Sequence, residues 1–505
     1  MIEVPFAQLR LVASTAFGKP FALWSLHRLI KSLKATRQVF GHAAPQSEAA
    51  AALNGPSLNP QMQTEMQLSR FRKLARQAAS QTPYYSDLFN RLGLDPTKLT
   101  SEDLQKIPFT EKQTVRENPD AFVVRQGRPF LRAMTTGTTG RPTCISFSAH
   151  ELKVYAALAA ISYLLSGTIS SADIVQISTG SRGTLGNLTL AGGCGLVGAE
   201  VYLAGIVDPV LALSLLSENR RIPGKKARTS VLYTYPSYLG QLVEAARKEG
   251  LGPQDFGLEK IIIGGEPVSQ GLKRRAETVF GQVSWLEGYG MTEIWPLGGT
   301  ICPEGHLHFD PLQGLVEVYN PLTGRLAQPG ETGNLVVTPF PPYRETTLLL
   351  RYNTRDAVRV LDQNPGCVLA HWPATGPLLG KQDLAIACSQ GYIYPRQIVE
   401  ALEAIEEVPL PARFSLQPGR SGVVVQVALN SNALLTTGYL SGKIAASLIE
   451  QGIPLEDLQL VANPHELKQP FPWRADLREY SFQEKSPEEA LVNPHEGLSA
   501  ILSFL

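Results

Sequence analysis

The pattern of apolar and polar positions divides much of the chain into short strand-like runs separated by helical stretches. Residues 65–80 show the apolar period of a helix, and runs typical of buried strands occupy positions 173–178, 230–235 and 260–263. A helical stretch at residues 238–249 lies between the last two runs. Because strands that alternate with helices pair mostly in parallel, the pattern predicts an α/β fold with parallel-rich sheets.

The pattern changes in the second half of the chain, after residue 317. Runs at positions 335–338 and 347–352 flank a proline-containing turn at 339–344, and a further run follows at 357–361. Strand-like runs joined by short turns pair antiparallel, so we expect an antiparallel β subdomain in this part of the chain.

A second change falls near Gly380, after which helical and strand-like stretches alternate over short distances. The predicted elements are helices at 395–405 and 442–450 and strands at 422–429 and 458–462. The chain is therefore expected to have three parts: an N-terminal helical extension with a linker at residues 1–60, a large domain at 61–379 and a small α+β domain at 380–505.

The N-terminal part has a pattern of its own. Residues 20–40 predict an amphipathic basic helix, which either docks on the protein's own body or binds a membrane surface or a partner protein. Residues 44–60 are rich in Ala, Ser, Asn and Pro and predict a linker. No secretory signal begins the sequence, and no stretch reaches the roughly 18–20 apolar residues of a transmembrane helix.

Composition limits the function classes without selecting one. The 505 residues carry 46 Lys and Arg against 45 Asp and Glu, so the net charge of +1 gives no electrostatic reason to expect nucleic acid. The length predicts two to four domains or one large domain with a smaller one. Five scattered cysteines imply no disulfide framework, so we expect a reducing compartment, the cytoplasm.

One loop has the composition of a phosphate-binding turn. Its residues are Thr135, Thr136, Gly137, Thr138, Thr139, Gly140, Arg141, Pro142 and Thr143. The glycines let the backbone approach an anion, and the threonines surround it with N–H and hydroxyl donors. The spacing of a Walker A loop is not present. A polar turn between two strands is the alternative interpretation.

Three further motifs place a carboxylate after a strand-like run. Residues 261–267 end in a glycine turn with Glu266, and residues 286–293 place Tyr289 near Glu293. Ligands of parallel sheets bind outside the carboxyl ends of the strands, where an aromatic ring suits a nucleobase and a carboxylate suits Mg²⁺. Asp356, in the third motif, is a candidate for ribose hydroxyls. A capped turn, a core tyrosine and a surface ion pair are the respective alternatives.

On these motifs the chain resembles the adenylate-forming superfamily of acyl-CoA synthetases, adenylation domains and luciferases, in particular its phenylacetate–CoA ligase branch. The resemblance covers residues 65–405, beginning with the segments 82–89 and 104–112 before the threonine-rich loop. It extends to residues 380–383 and 391–395, which are similar to the hinge and opening strand of that family's small C-terminal domain.

The resemblance implies where ATP would bind. Residues 135–143 would hold its phosphates, with Thr138 and Thr139 nearest to them. The adenine would be flanked by Gly264, Gly265, Glu266 and Pro267. Tyr289, beside Gly290, would stack on the same base.

The remaining roles also come from the resemblance. Thr292 and Glu293 would serve the α-phosphate and Mg²⁺, and Asp356 would bind the ribose. Asp383 would be the hinge, and Lys381 stands where the family usually has arginine. The implied fold is a large ATP- and acyl-binding body with a small mobile C-terminal domain.

The implied reaction has two steps. A carboxylate attacks the α-phosphate of ATP to give an acyl-adenylate and pyrophosphate, and a thiol, usually that of coenzyme A, then displaces AMP. The family's C-terminal lysine has no counterpart at the aligned position, and Arg474 stands near it. Because arginine differs from lysine in shape and reach, the first step could use this cation, be slow or be lost.

Two candidate sites remain. An acyl pocket for an aromatic acid could be built from Tyr233, Tyr235, Pro236, Gly192 and Gly193, although core packing explains the tyrosines equally well. The second candidate is the stretch from Cys302 to His308, in which Cys302, His306 and His308 could ligate Zn²⁺. Cys367 or His371 could then be the fourth ligand. The alternative is an ordinary strand-turn-strand with exposed histidines.

The function expected from these features is ATP-dependent activation of a carboxylic acid followed by transfer to coenzyme A, in an AMP-forming acid–thiol ligase. Two alternatives stay open. One is an adenylating enzyme that uses an amine, a carrier-protein thiol or a small nitrogen nucleophile as the acceptor. The other is a non-catalytic relative that only binds the nucleotide or the acyl group.

Overall fold

A computed structural model describes residues 3–40, 59–135, 142–180, 184–388, 391–429 and 437–476 of the chain. Six residues of the predicted phosphate-binding loop lie outside this part: Thr136, Gly137, Thr138, Thr139, Gly140 and Arg141. Most of the predicted linker at 44–60 lies outside it as well. Within the described ranges, no helix is both long enough and apolar enough to span a membrane.

The α-helices of the described residues are α1 (Glu3–Phe17), α2 (Leu23–Phe40), α3 (Pro60–Gln81), α4 (Pro83–Leu92), α5 (Ser101–Lys106), α6 (Lys112–Glu117), α7 (Ala149–Ser166), α8 (Thr184–Val197), α9 (Pro209–Ser217), α10 (Pro236–Lys248), α11 (Gln270–Phe280), α12 (Pro395–Glu403) and α13 (Thr437–Glu450). Several begin where the sequence places a cap. Ser148 and Glu151, for example, form the capping box of α7.

The strands are β1 (Pro129–Met134), β2 (Cys144–Ser148), β3 (Ile174–Ser178), β4 (Glu200–Leu203), β5 (Val231–Thr234), β6 (Lys260–Gly264), β7 (Ser284–Tyr289), β8 (Gly299–Ile301), β9 (Leu307–Phe309), β10 (Gly314–Tyr319), β11 (Thr332–Pro339), β12 (Tyr352–Arg359), β13 (Ala374–Thr375), β14 (Gly380–Lys381), β15 (Ile386–Cys388), β16 (Gly391–Ile393), β17 (Arg413–Pro418), β18 (Val423–Ala428) and β19 (Leu455–Val461).

An eight-stranded sheet forms the centre of the fold, in the order β13-β9-β8-β7-β6-β5-β3-β4. Strands β4, β3, β5, β6 and β7 run parallel, and β8, β9 and β13 add an antiparallel edge. All five residues of β3 are buried, as expected for a parallel strand covered on both faces. The predicted α/β architecture is confirmed, and the carboxyl ends of β5, β6 and β7 meet at one edge of the sheet.

The predicted antiparallel subdomain is a four-stranded sheet in the order β10-β11-β12-β14. The strand predicted at 347–352 is wrong, because the strand begins only at Tyr352 and runs on to Arg359. Thr347 instead forms a bridge with Val123, and Leu348, Leu349 and Leu350 are buried without belonging to a strand. Arg351 then turns the chain with a φ of 48°. The three buried leucines gave the same apolar pattern as a buried strand, and this pattern caused the wrong prediction.

The C-terminal part contains a three-stranded sheet, β17-β18-β19, covered by α12 and α13. One hydrophobic cluster draws its buried residues only from Ile393 to Trp473. Strand β17 had no counterpart among the predicted elements. The alternation of helix and strand is the expected α+β pattern, and the boundary at residues 379 and 380 stays a prediction.

Helix α2 docks on the protein's own body, in agreement with the first of its two interpretations. Leu26 and Ile30 are buried, and the contact is made chiefly with α7. Lys34 donates to the carbonyl of Leu196 at 3.3 Å, which ties the basic face of α2 to the end of α8. The preceding helix α1 leaves apolar side chains exposed: Phe6, Leu9, Val12 and Phe17.

Candidate active site

The carboxyl ends of β6 and β7 lie side by side, with Gly264 paired to Gly288. A Cβ atom at Gly264 would lie 2.4 Å from the carbonyl oxygen of Gly288, so only glycine fits there. Gly265 follows with a φ of 86°, in the left-handed region that favours glycine. The predicted adenine-flanking turn is therefore an exposed backbone shelf beside the end of β7, and Pro267 behind it is buried.

Glu266, predicted to flank adenine, turns its carboxylate into the protein. It accepts hydrogen bonds from the Ser237 N–H at 2.8 Å and the Ser237 hydroxyl at 3.0 Å. Burial raises the pKa of this carboxyl, and these hydrogen bonds oppose the shift. Because Ser237 lies in the first turn of α10, the carboxylate satisfies an N–H of the helix N-terminus. Glu266 therefore anchors the Gly264–Gly265 shelf to the start of α10.

Three predicted residues meet at the start of β14. The Tyr289 hydroxyl donates to Asp356 at 2.8 Å, and the Lys381 ammonium contacts the other carboxylate oxygen at 2.8 Å. Asp356 and Lys381 are register partners of β12 and β14, which explains their proximity. Burial, followed by the Asp356 carboxylate, raises the pKa of Tyr289 well above its ordinary value. The phenol therefore stays a hydrogen-bond donor.

The predicted hinge residue Asp383 lies just beyond this group. It forms an ion pair with Arg355 at 3.0 Å, and about half of each side chain is exposed. An exposed pair of this kind adds little stability. Such a weak contact is compatible with a hinge at Asp383, and the hinge role of this residue stays a prediction.

Glu293 is the most deeply buried carboxylate of the site, with 1% of its surface exposed. Its Oε1 atom accepts from the Tyr352 hydroxyl at 3.1 Å and pairs with the Lys112 ammonium at 3.1 Å. The neighbouring Thr292 and Gly290 are half-buried in the same turn after β7. A buried carboxylate requires such partners, and these two contacts hold its side chain in a fixed place.

Lys112 and Tyr352 had no assigned role in the sequence, although Lys112 belongs to the segment 104–112 that carries the resemblance. The structure holds this segment in place through Arg351, whose guanidinium donates to the carbonyls of Leu104 and Ile107. A bridge between Thr110 and Tyr352 continues the contact. In the sequence, only the membership of Lys112 in the segment 104–112 indicated that this residue could belong to the site.

Arg474, from the C-terminal part, lies against the shelf. Its Nε donates to the carbonyl of Gly265 at 2.8 Å, and its guanidinium lies 5.4 Å from the centre of the Tyr235 ring. Its backbone N–H donates to Glu266, and the Ala475 N–H donates to the Ser237 hydroxyl at 3.2 Å. The predicted substitute for the missing lysine is thus brought to the end of β6.

The residues predicted to bind the acyl group divide into two sets. Tyr233 is half-buried at the end of β5, and buried Tyr235 and Pro236 lie at the start of α10, next to Arg474. Gly192 and Gly193 are elsewhere: a Cβ at either position would lie within 2.9 Å of Ala156 or Ala159 on α7. These two glycines permit α8 to pack closely on α7, and that position gives no support to a substrate contact.

The first and last residues of the threonine-rich loop, Thr135 and Thr143, are joined by hydrogen bonds. The Thr135 N–H donates to the carbonyl of Thr143 at 3.0 Å, and the Thr143 N–H donates to the Thr135 hydroxyl at 3.1 Å. Strands β1 and β2, which lead into and out of the loop, pair antiparallel. The loop therefore connects the two strands of an antiparallel pair.

Comparison with known proteins identifies relatives over about two thirds of the chain. The sequence profile described as AMP-binding enzyme matches residues 98–339. The chain is 30% identical over 351 residues to a phenylacetate–coenzyme A ligase of Thermus thermophilus, over 68% of this chain and 76% of that protein. It is 28% identical to a phenylacetate–coenzyme A ligase of Pseudomonas putida, over 68% and 76%.

A solved structure shares the fold. It is the crystal structure of 2-hydroxyisobutyryl-CoA ligase in the postadenylation state, which aligns with a TM-score of 0.66 and 21% identity. The alignment covers 82% of this chain and 88% of the solved chain.

Proposed function

The chain belongs to the AMP-binding enzyme family, with the phenylacetate–CoA ligases among its relatives, and we propose that it is an AMP-forming acid–CoA ligase. Its substrates are then ATP, a carboxylic acid and coenzyme A. The observation that carries the proposal is the convergence of the end of β7, the Asp356–Lys381 pair and Arg474 on one edge of the central sheet. Ligands of parallel sheets bind at such an edge.

In the first step, a carboxylate oxygen of the acid attacks the α-phosphorus of ATP. The bond from this phosphorus to the bridging oxygen breaks, and the products are the acyl-adenylate and pyrophosphate. Because two anions must meet, the protein contributes chiefly by positioning them and by neutralising charge.

Asp356 and Tyr289 position the nucleoside in this proposal. The Tyr289 phenol and the Lys381 ammonium each contact one carboxylate oxygen of Asp356, and together they fix its rotamer. A carboxylate offers about four acceptor sites, so Asp356 can still accept from ribose hydroxyls. The Tyr289 ring, the Gly264–Gly265 shelf and Gly290 form the surface offered to the adenine.

The residues around Glu293 suit magnesium with ATP. A buried carboxylate is a ligand that Mg²⁺ prefers, and the ion supplies charge neutralisation at the phosphates when it is bound. Lys112 contacts the same carboxylate oxygen and balances its charge. When the phosphates enter, Lys112 can turn toward them, since 29% of its side chain is exposed.

Arg474 is proposed as the cation that faces the acid and the α-phosphate. Its contacts with Gly265 and the Tyr235 ring hold it between the nucleotide shelf and the tyrosines of the acyl pocket. A planar guanidinium binds carboxylate and phosphate oxygens in pairs, so it can replace an ammonium if its position fits. Rotation of the C-terminal part would withdraw Arg474 before coenzyme A attacks.

We infer that the acid is aromatic. Tyr233 and Tyr235 supply aromatic walls beside Arg474, and burial raises the pKa of Tyr233 to about 12, so its hydroxyl stays neutral. The two relatives named above are both phenylacetate–coenzyme A ligases. These names support the choice of an aryl acid.

Two finer points belong to the same proposal. The five free cysteines support a reducing compartment such as the cytoplasm. A membrane-surface or partner contact is supported by the apolar side chains that α1 exposes beside the basic helix α2.

Release of pyrophosphate that depends on an added acid tests the proposal. Adding coenzyme A should then give an acyl-CoA thioester and AMP. Accumulation of the adenylate in the presence of coenzyme A would point to an amine, carrier-protein or nitrogen acceptor instead. Binding of ATP without pyrophosphate release for any acid of a broad aryl and alkyl panel would leave only the non-catalytic reading.

A further inference from the structure

A cluster of cysteine and histidine side chains lies at the antiparallel edge of the central sheet. Its members are Cys302, His306, His308 and Cys367. One ligand atom from each residue lies within 4.8 Å of the others. Cys302, His308 and Cys367 are buried, and His306 is half-buried. The proposed ligase reaction uses none of these side chains.

Two sulfur–nitrogen distances in the cluster are close to the edges of a tetrahedral zinc site. The Cys302 sulfur lies 3.5 Å from His306 Nδ1, and the Cys367 sulfur lies 3.2 Å from His308 Nε2. Zinc binds sulfur at about 2.3 Å and nitrogen at about 2.0–2.1 Å, which gives sulfur–nitrogen edges of about 3.5 Å in a tetrahedron. An ion placed among the four atoms therefore needs only small movements of the side chains.

The local backbone supports ligand binding by Cys302. The chain turns tightly after this residue, with the Gly305 N–H donating to the Cys302 carbonyl at 2.9 Å and Gly305 at a φ of 85°. The turn directs the His306 N–H to the Cys302 sulfur at 3.3 Å. A backbone N–H aimed at a sulfur stabilises a thiolate, which is the form that binds a metal.

We propose that Cys302, His306, His308 and Cys367 bind one Zn²⁺ ion as a structural site. Two thiolates and two imidazoles form a donor set that zinc prefers, and four protein ligands leave no open position for a substrate. The fourth ligand is Cys367 and not His371, the other residue considered from the sequence.

The position of the cluster suggests what the ion would stabilise. Cys302 and the two histidines lie on the β8–β9 hairpin, whereas Cys367 lies in the segment between β12 and β13. Strand β12, before this segment, carries Asp356, and β14, which follows β13, carries Lys381. A zinc ion would therefore clamp the connection between these two residues to the sheet that carries Tyr289.

Metal analysis of the full-length, untagged protein tests the proposal directly. Purified protein, incubated with zinc chloride and gel-filtered, is expected to hold about one zinc ion per chain by mass spectrometry of the metal. Replacement by Co²⁺ should give the visible bands of a tetrahedral site and a thiolate charge-transfer band. The cobalt spectrum identifies the donor atoms and does not depend on any variant folding.

Variants assign the ligands. Cys302→Ser and Cys367→Ser should each lower the bound zinc severalfold and weaken the thiolate band, whereas the matched control Cys388→Ser should keep both. Chelation should lower the unfolding temperature of the wild type and of the control.

Zinc below about a tenth of an ion per chain after reconstitution would overturn the site. So would a Cys302–Cys367 disulfide found by mass spectrometry in protein purified under reducing conditions. Neither result would depend on whether the protein has ligase activity.

Discussion

Glu293 is a buried carboxylate that the fold supplies with two polar partners. With 1% of its surface exposed, its carboxylate depends on Lys112 and Tyr352, both at 3.1 Å. Removing its charge while keeping its shape should therefore leave the fold intact and disturb the reaction. The residue is a catalytic candidate because a magnesium ion bound with ATP would meet this carboxylate.

We predict that Glu293→Gln lowers acid-dependent pyrophosphate release at least about a hundredfold, the scale of losing one preorganised electrostatic contact. The matched control is Glu287→Gln on β7, whose carboxylate also pairs with a lysine, Lys273 at 2.9 Å. Steady-state rates with saturating acid measure both. A rate within a few-fold of wild type in a folded Glu293→Gln protein would remove this carboxylate from the mechanism.

At this scale, motif residues could be predicted from sequence and their long-range partners could not. Tyr289, Glu293 and Asp356 stand in short local patterns, whereas Lys112 and Tyr352 reach Glu293 only through the fold. Glu266 shows the opposite case. Its motif was recognised, but its carboxylate is used by the N-terminus of α10, which no local pattern indicates.

The junction of β6 and β7 is an element-scale feature that depends on one glycine. A Cβ atom at Gly264 would lie 2.4 Å from the carbonyl oxygen of Gly288, and backbone cannot rotate away as a side chain can. The ends of the two strands would have to separate, which would displace the shelf and Tyr289.

We predict that Gly264→Ala lowers stability by about 1–3 kcal/mol, the usual cost of overpacking, and raises KM for ATP. The control is Gly195→Ala in α8, where nothing lies within 4 Å and alanine should be neutral or stabilising. Denaturant unfolding and ATP titration of the rate measure the two effects. Equal behaviour of the two variants would contradict the role given to this contact.

The contact between α11 and α12 contains a buried acid. Glu403 is 1% exposed and accepts hydrogen bonds from the Ser269 hydroxyl and the Ala412 N–H. Burial raises the pKa of Glu403 to about 7, although the hydrogen bonds from Ser269 and Ala412 oppose the shift. The folded protein therefore binds this proton more tightly than the unfolded chain does.

A raised acid pKa in the folded state means that the stability contributed by this proton falls as pH rises from about 4.5 to about 7. Glu403→Gln, which cannot ionise, should lack this loss. The unfolding temperature of Glu403→Gln minus that of wild type should rise by a few degrees between pH 5 and pH 8. The exposed Glu450→Gln should show a flat difference. A flat difference for Glu403→Gln as well would show that this carboxyl does not titrate in that window.

Prediction of elements succeeded where the apolar pattern matches one period along its length, as at α10 and β6. It failed at residues 347–352, where buried leucines without a strand gave the same apolar signal. What decides there is pairing: Thr347 bonds to Val123 and Ser146, contacts that lie far away in sequence. Strand β17 was missed for a related reason, since its register with β18 is fixed by tertiary contacts.

At the scale of the whole molecule, the C-terminal part both packs on the body and supplies a residue to the site. The contact runs along α11 and α12 and ends at Arg474, which reaches Gly265. Arg413 and Asp476 form an ion pair that holds this last segment to the C-terminal sheet. In the proposed mechanism, the C-terminal part carries Arg474 to and from the site as it moves.

This arrangement predicts that Arg474 serves only one of the two steps. Arg474→Ala should lose most acid-dependent pyrophosphate release, yet still form thioester from supplied acyl-adenylate and coenzyme A. Arg474→Lys should recover part of the first step, because the charge returns with a different shape. Rapid-quench measurement of each half-reaction separates the outcomes. An unchanged first step, or an equal loss in both steps, would contradict the assignment.

The neutral composition gave no sign that one cation would matter. A net charge of +1 does not show whether a cation is present at a particular place. The family's lysine is missing here, and Arg474 lies against Gly265 instead. The sequence predicted the architecture and drew attention to Arg474, but only the fold shows that this residue contacts Gly265. The role of Arg474 in the first step stays a prediction.

The most direct test of the central claim is a mass-spectrometric screen of aryl and alkyl acids with ATP and magnesium, with and without coenzyme A. We predict pyrophosphate and an acyl-adenylate from at least one aryl acid, conversion to the acyl-CoA thioester and AMP when coenzyme A is added, and loss of both in Glu293→Gln. Binding of ATP or of an acyl-adenylate analogue, with no pyrophosphate from any acid, would contradict the claim.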